Sequence, residues 1–129
     1  MTMPSREDLR RPFLDMASDG KALVNKDAIE ALAEKFSLSQ LERSRLLAGG
    51  GEREFHNRCR WARWDLEAAK LLKNQGDRTT RITDRGWEAL RSGPSTISSR
   101  YLSQFPEYVE KTNPMKRGDN RAASDQSSN

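Results

Sequence analysis

Phe55, Cys59, Ala62, Leu66 and Ala69 follow one another at spacings of four, three, four and three residues. This is the repeat of a single apolar stripe along an α-helix. No other feature constrains the fold as tightly, because a helix with one apolar stripe has to bury it against something. The stripe predicts a helix over residues 52–72, with Cys59 as a small core residue. It also commits the opposite face. At about 100° per residue, Arg53, Asn57, Arg60 and Trp64 point within about 40° of directly away from the stripe, with His56 and Arg63 flanking them on one side. A merely solvated face usually mixes Glu with Lys, whereas this one carries Arg and Asn. Arg pairs bidentately with guanine O6 and N7, and Asn with adenine N6 and N7; both also reach phosphates. Trp61 and Arg58 project sideways, Trp61 toward a neighbouring helix. Trp64 has two roles open to it, stacking on a sugar or base or covering the edge of the core.

Around this helix the chain reads as short elements with clear punctuation. Ser5, followed by acids, predicts the cap of a first helix over 5–16, and Asp19-Gly20 a turn after it. Residues 22–24 suit a short strand. Asn25 is expected to cap a helix over 26–36, whose core stripe is Ile29, Leu32, Ala33 and Phe36. Ser39 with Glu42 resembles a capping box for a short helix ending near Leu47. Gly49-Gly50-Gly51 is read as a flexible connection, since no Gly-Lys-Ser/Thr follows to make a phosphate loop. Asn74-Gln75-Gly76-Asp77, between Leu71-Leu72 and Thr79-Thr80-Arg81-Ile82, predicts a hairpin. The hairpin and its flanks supply Lys73, Arg78, Arg81 and Arg85, of which Arg78 is the best-placed candidate at the tip and Arg81 a second. Thr83 is expected to cap a helix over 84–91, stopped by Gly93-Pro94. Ile97, Tyr101, Leu102, Phe105 and Tyr108 suggest a last amphipathic segment bent at Pro106, with apolar surface able to pair subunits. The domain is expected to span 1–110, with 111–129 a disordered tail or linker.

Charge is informative through its placement. Residues 53–85 carry 9 basic and 5 acidic side chains, while 1–52 carry 8 and 9, and 86–110 carry 2 and 3. Positive charge thus gathers on the long helix and hairpin, as phosphate binding requires. With 34% apolar residues the core is modest. There is no apolar run of about 18 residues for a membrane span and no signal-like start, so a cytoplasmic location is expected. Catalysis fits poorly. The single His and single Cys make no metal site, and His56 and Cys59 diverge on the helix. No Lys has Glu or Gln two residues before it, as a metal-dependent nuclease element needs. No cofactor and no enzymatic activity are expected.

The order helix, strand, helix, helix, hairpin, helix is that of a mainly α winged helix-turn-helix. With Ala31-Leu32-Ala33-Glu34-Lys35-Phe36, Asn57-Arg58-Cys59-Arg60-Trp61-Ala62-Arg63, Ile82-Thr83-Asp84-Arg85-Gly86 and Tyr101-Leu102-Ser103-Gln104-Phe105-Pro106-Glu107, the chain resembles the N-terminal domain of Mrr-type restriction endonucleases. That resemblance implies a winged helix which delivers a separate nuclease domain to double-stranded DNA, often DNA with modified bases. The family's catalytic domain has no counterpart here, so targeting is implied and cleavage is not. Lys70 departs from the pattern, standing where a glycine is expected to end the helix. The candidate DNA contacts are therefore Arg53, His56, Asn57, Arg60, Arg63, Trp64, Arg78 and Arg81, with a nuclease domain or subunit as partner. A homodimeric stand-alone transcriptional regulator and a protein-docking winged helix are the alternatives.

Overall fold

The computed structural model describes residues 3–112. Seven helices and three strands follow in the order α1 (Arg6–Met16), β1 (Leu23–Val24), α2 (Asn25–Lys35), α3 (Gln40–Ser44), α4 (Glu54–Ala68), β2 (Leu72–Gly76), β3 (Thr79–Ile82), α5 (Asp84–Ser92), α6 (Ser99–Leu102) and α7 (Pro106–Thr112). The strands form one antiparallel sheet in the order β1-β3-β2, with Leu23 opposite Thr80 and Leu72 opposite Ile82. This mainly helical architecture with a small sheet is the expected class and is compatible with a winged helix. α7 runs to Thr112, and residues 113–129, on which most of the expected tail or linker falls, lie outside the described residues.

Local chemistry places several boundaries. Ser5 and Ser39 each form a reciprocal capping box, with Asp8 and Glu42 respectively. Asn25 does not cap α2: Val24 holds that position without a side-chain bond, and Asn25 is already helical. Its backbone N–H donates to the Arg78 carbonyl at 3.0 Å, drawing it toward the hairpin. α3 stops at Ser44, because Leu46 pairs in extended conformation with Arg53. Gly49, Gly50 and Gly51 all take positive φ (93°, 78° and 91°). They close a tight reversal between Leu46 and Arg53 where a loose connection was expected.

The long helix is shorter than predicted at both ends. Arg53 is its extended N-cap, and at the other end Lys70 adopts φ 65°. The Leu71 N–H bonds the Leu66 carbonyl (2.9 Å) and the Lys70 N–H bonds the Glu67 carbonyl (3.0 Å). This is a Schellman closure with lysine in the left-handed seat that usually holds glycine. Thr83 then joins helix end to hairpin: its hydroxyl contacts the Lys70 carbonyl at 2.6 Å and accepts the Gly86 N–H at 3.0 Å, capping α5. Gly86 is needed for that junction, since a Cβ there would stand 2.2 Å from the Leu71 carbonyl oxygen. The chain reverses at Asp77-Arg78, both at positive φ (50° and 61°), the geometry of a two-residue type I′ turn. Upstream, the register shifts between Asn74 and Gly76.

The core joins Leu9, Phe13 and Leu14 of α1 and Leu32 of α2 to Phe55, Cys59, Ala62 and Leu66 of α4. Ile97, Leu102 and Tyr108 are buried in the same core, and Tyr101 and Phe105 pack against it. The segment expected to offer apolar docking surface is therefore consumed by the domain itself. Among these apolar groups lies Asp65, fully buried on the flank of α4. It accepts from Arg10 Nε at 2.9 Å and from Arg6 Nε and Nη2 at 2.7 and 2.6 Å. Arg10, itself only 2% exposed, also donates to the Ile97 carbonyl at 3.0 Å.

Two stability outcomes follow. Asp65→Ala leaves the Arg10 charge buried without its partner and is expected to cost about 3–5 kcal/mol in urea unfolding. Lys70→Gly relieves a left-handed lysine costing about 1–2 kcal/mol while loosening the unfolded chain, and is expected to stabilise by about 0.5–1 kcal/mol net.

Candidate nucleic-acid interface

The outer face of α4 is held at a fixed angle because its inner face is anchored to α1. Arg58 bonds the Met3 and Pro4 carbonyls at 3.1 and 2.9 Å and also Glu54, so it is a structural tie for the segment preceding α1. The β2–β3 hairpin docks on the other flank. There the buried Thr80 hydroxyl bonds Glu67 at 3.3 Å, and Glu67 pairs with Arg63 at 3.4 Å.

Between the start of α2, α4 and the hairpin tip runs a groove of about 560 Å³. Arg53, His56, Arg60, Arg63 and Arg78 all line it, so five of the eight candidates meet on one surface. With Lys26 the groove carries five cationic side chains against the carboxylates of Glu30, Glu52 and Asp77. Glu30 is already paired with Arg43. Asn57 lies beside the groove and is tied to it through Glu52, whose Oε1 accepts the Asn57 amide at 3.3 Å. The remaining two candidates lie elsewhere. Trp64 lies in a second cleft, toward the C-terminal end of α4 and β2, where it packs against the core. Arg81 points from the hairpin to the Gly20 carbonyl (3.1 Å) and does not reach the groove.

Glu52 organises this surface. Its carboxylate accepts from Arg60 Nη2 at 3.1 Å and Nε at 3.3 Å as well as from Asn57, and these contacts hold it below its usual protonation range. The Arg60 guanidinium also lies 5.5 Å from the Trp61 ring centroid. Arg6 approaches the same ring at 5.3 Å, and Trp61 meets Trp64 edge-on at 5.6 Å. Arg60 is thus set between an aromatic ring and a carboxylate oriented much as a bidentate phosphate would be.

Lys26 and Glu52 are groove residues that residue-type reasoning passed over, and Asn25 is a third. Asn25 Oδ1 is buried without a hydrogen-bond partner among the described residues. An orphan acceptor costs about 1–3 kcal/mol, and here it sits in the wall of the groove.

Cys59 is buried, and burial pushes its thiol up to about 12, so it supplies no thiolate at neutral pH. Among the described residues no group of His, Cys, Asp and Glu is placed to hold a metal ion. No helix among them is long and apolar enough to cross a membrane.

The family model of the Mrr N-terminal domain matches residues 7–92, and the chain belongs to that family. This domain is the N-terminal, non-catalytic part of Mrr proteins, a module associated with restriction systems. No curated protein and no solved structure matches the chain.

His56 gives the groove a pH signature. Burial is the first cause lowering its pKa below 6.5, the Arg53 charge the second, with Glu52 and Glu30 opposing. The unfolded chain then takes up the proton first, so stability is full above about pH 6.5 and declines as pH falls through the lowered folded value. The melting temperature is expected to drop as pH falls below about 6.5, before the carboxylates titrate, and His56→Gln is expected to flatten that drop. An unchanged slope in the variant would assign the effect elsewhere.

Proposed function

We propose that this member of the Mrr N-terminal domain family is a double-stranded DNA-targeting winged helix for a restriction-type nuclease system and performs no catalysis itself. The observation that carries the reading is the convergence of Arg53, His56, Arg60 and Arg63 from one helix with Arg78 from the hairpin tip on a single groove. In this reading α4 enters the major groove, where Arg60 and Asn57 meet base edges, and the wing brings Arg78 to the phosphate backbone. Arg78 supports it by its conformation: it keeps a left-handed seat (φ 61°) where glycine fits with less strain. Glu52 holds Arg60 and Asn57 in the free protein and is displaced from them on binding. The nuclease acts from another domain or subunit. The docking alternative loses its expected surface, because Ile97, Leu102 and Tyr108 are buried.

Fluorescence anisotropy on a labelled duplex of about 20 base pairs, across a salt series from about 50 to 200 mM, tests this. Log affinity is expected to fall against log salt with a slope of about −3 to −5, from the cationic side chains of the groove. Arg60→Ala and Arg78→Ala each weaken binding by about tenfold, and Glu52→Gln, which removes a competing charge, strengthens it several-fold. A tighter grip on a duplex with methylated bases favours restriction targeting over a stand-alone regulator. Absence of binding at low salt, or indifference to both arginine substitutions, contradicts the proposal.

A further inference from the structure

A second cleft, of about 490 Å³, opens on the other side of the hairpin root. Trp64, Ala68 and Leu72 contribute its apolar wall, and Lys70, Lys73 and Lys111 bring ammonium groups to it from the end of α4, from β2 and from α7. No ion pair among the described residues involves any of the three lysines. Two nearby carboxylates have arginine partners, although Glu107 also feels the Lys70 charge. Glu67 pairs with Arg63 at 3.4 Å, and Glu107 pairs with Arg85 at 2.9 Å. The backbone carrying Lys70 is pinned, since its carbonyl takes the 2.6 Å contact from Thr83.

We infer that this cleft binds one strand of nucleic acid in single-stranded form, its phosphates on Lys70, Lys73 and Lys111 and a base against Trp64. Lysines act as point charges that hold phosphate without reading sequence, and an aromatic wall beneath them suits the flat face of a base. A duplex presents its phosphates on a convex surface and keeps its base faces stacked, so it leaves the indole and apolar wall unused. An acidic peptide would satisfy the charges but gives no reason for the aromatic wall. The concave shape and size match a ligand cleft of one or two nucleotides. This site is separate from the Arg60 groove, and the two readings fail independently.

The test uses the full chain with fluorescein-labelled oligothymidylate of about eight nucleotides, followed by anisotropy. Three lysine contacts at about 0.7 each predict a log–log salt slope near −2. Replacing Lys70, Lys73 and Lys111 together by Gln is expected to weaken binding by at least about tenfold at low salt and to flatten the slope. Lys70→Gly guards against a folding artefact, because it relieves backbone strain: affinity for the oligonucleotide falls while the melting temperature does not. An oligoglutamate of equal length is expected to compete poorly. The inference is overturned if the parent chain does not bind the oligonucleotide, if the triple variant binds it equally well, or if oligoglutamate competes as effectively. A parent that binds duplex and not the single strand removes this inference alone.

Discussion

Everything the groove displays depends on a carboxylate that faces away from it. Asp65 is fully buried between α4 and α1, gripped by Arg6 and Arg10. Arg10 reaches on to the Ile97 carbonyl and, at 3.3 Å, to Ser99 Oγ. One ionic cluster therefore ties the first helix, the long helix and the C-terminal segment together. Burying such charges costs several kcal/mol per ion, which their attraction offsets only when the hydrogen-bond geometry is good. Apolar packing alone leaves a helix free to rotate or slide by small amounts. A bidentate contact from Arg6 and a second from Arg10 do not, so the rotation of α4 is set and its far side is presented at one angle to the hairpin.

The hairpin meets that far side through a similarly constrained junction. Lys70 closes α4 in a left-handed conformation, Thr83 holds its carbonyl, and Gly86 lets α5 approach the Leu71 carbonyl closely. The tip repeats the pattern with Arg78 at positive φ. In both places a long cation occupies a seat where glycine carries less strain. Each is also a rim residue, Arg78 of the arginine groove and Lys70 of the lysine-lined cleft. Strain concentrated at such positions accords with surfaces shaped for binding, at the expense of maximal stability. Glu52 belongs to the same logic, since it holds Arg60 and Asn57 through its carboxylate, contacts that the proposed DNA binding would have to give up.

The parts of this architecture that were readable from sequence are those encoded locally. The Ser5 and Ser39 capping boxes, the Thr83 cap and the stripe from Phe55 to Leu66 lie within a turn or two of their partners. The cluster of Arg53, His56, Arg60 and Arg63 follows from that stripe, because burying one face exposes the other. What escaped depends on distant partners or on backbone conformation. Asp65 is unremarkable in the helical repeat, and its partners stand 55 and 59 residues away. Lys70 stands where the family resemblance expects a helix-ending glycine, but a lysine by residue type continues a helix, and only its φ of 65° marks the end. Three glycines read as slack where they form a turn. Arg81 was grouped with Arg78 by proximity, yet strand alternation sends it toward Gly20. The aromatic residues near the C-terminal end of the fold looked like free surface because nothing local reveals that α4 and α1 cover them.

Whether α4 and the hairpin tip together meet DNA is decided by mapping the interface residue by residue. Amide chemical shifts of the isotopically labelled chain would be followed during titration with a short DNA duplex. The largest changes are expected on Arg53, His56, Asn57, Arg60 and Arg63 together with Asp77 and Arg78, while α5 and α6 stay silent. Changes concentrated on α5 and α6, or spread evenly over the surface with α4 unaffected, would contradict it.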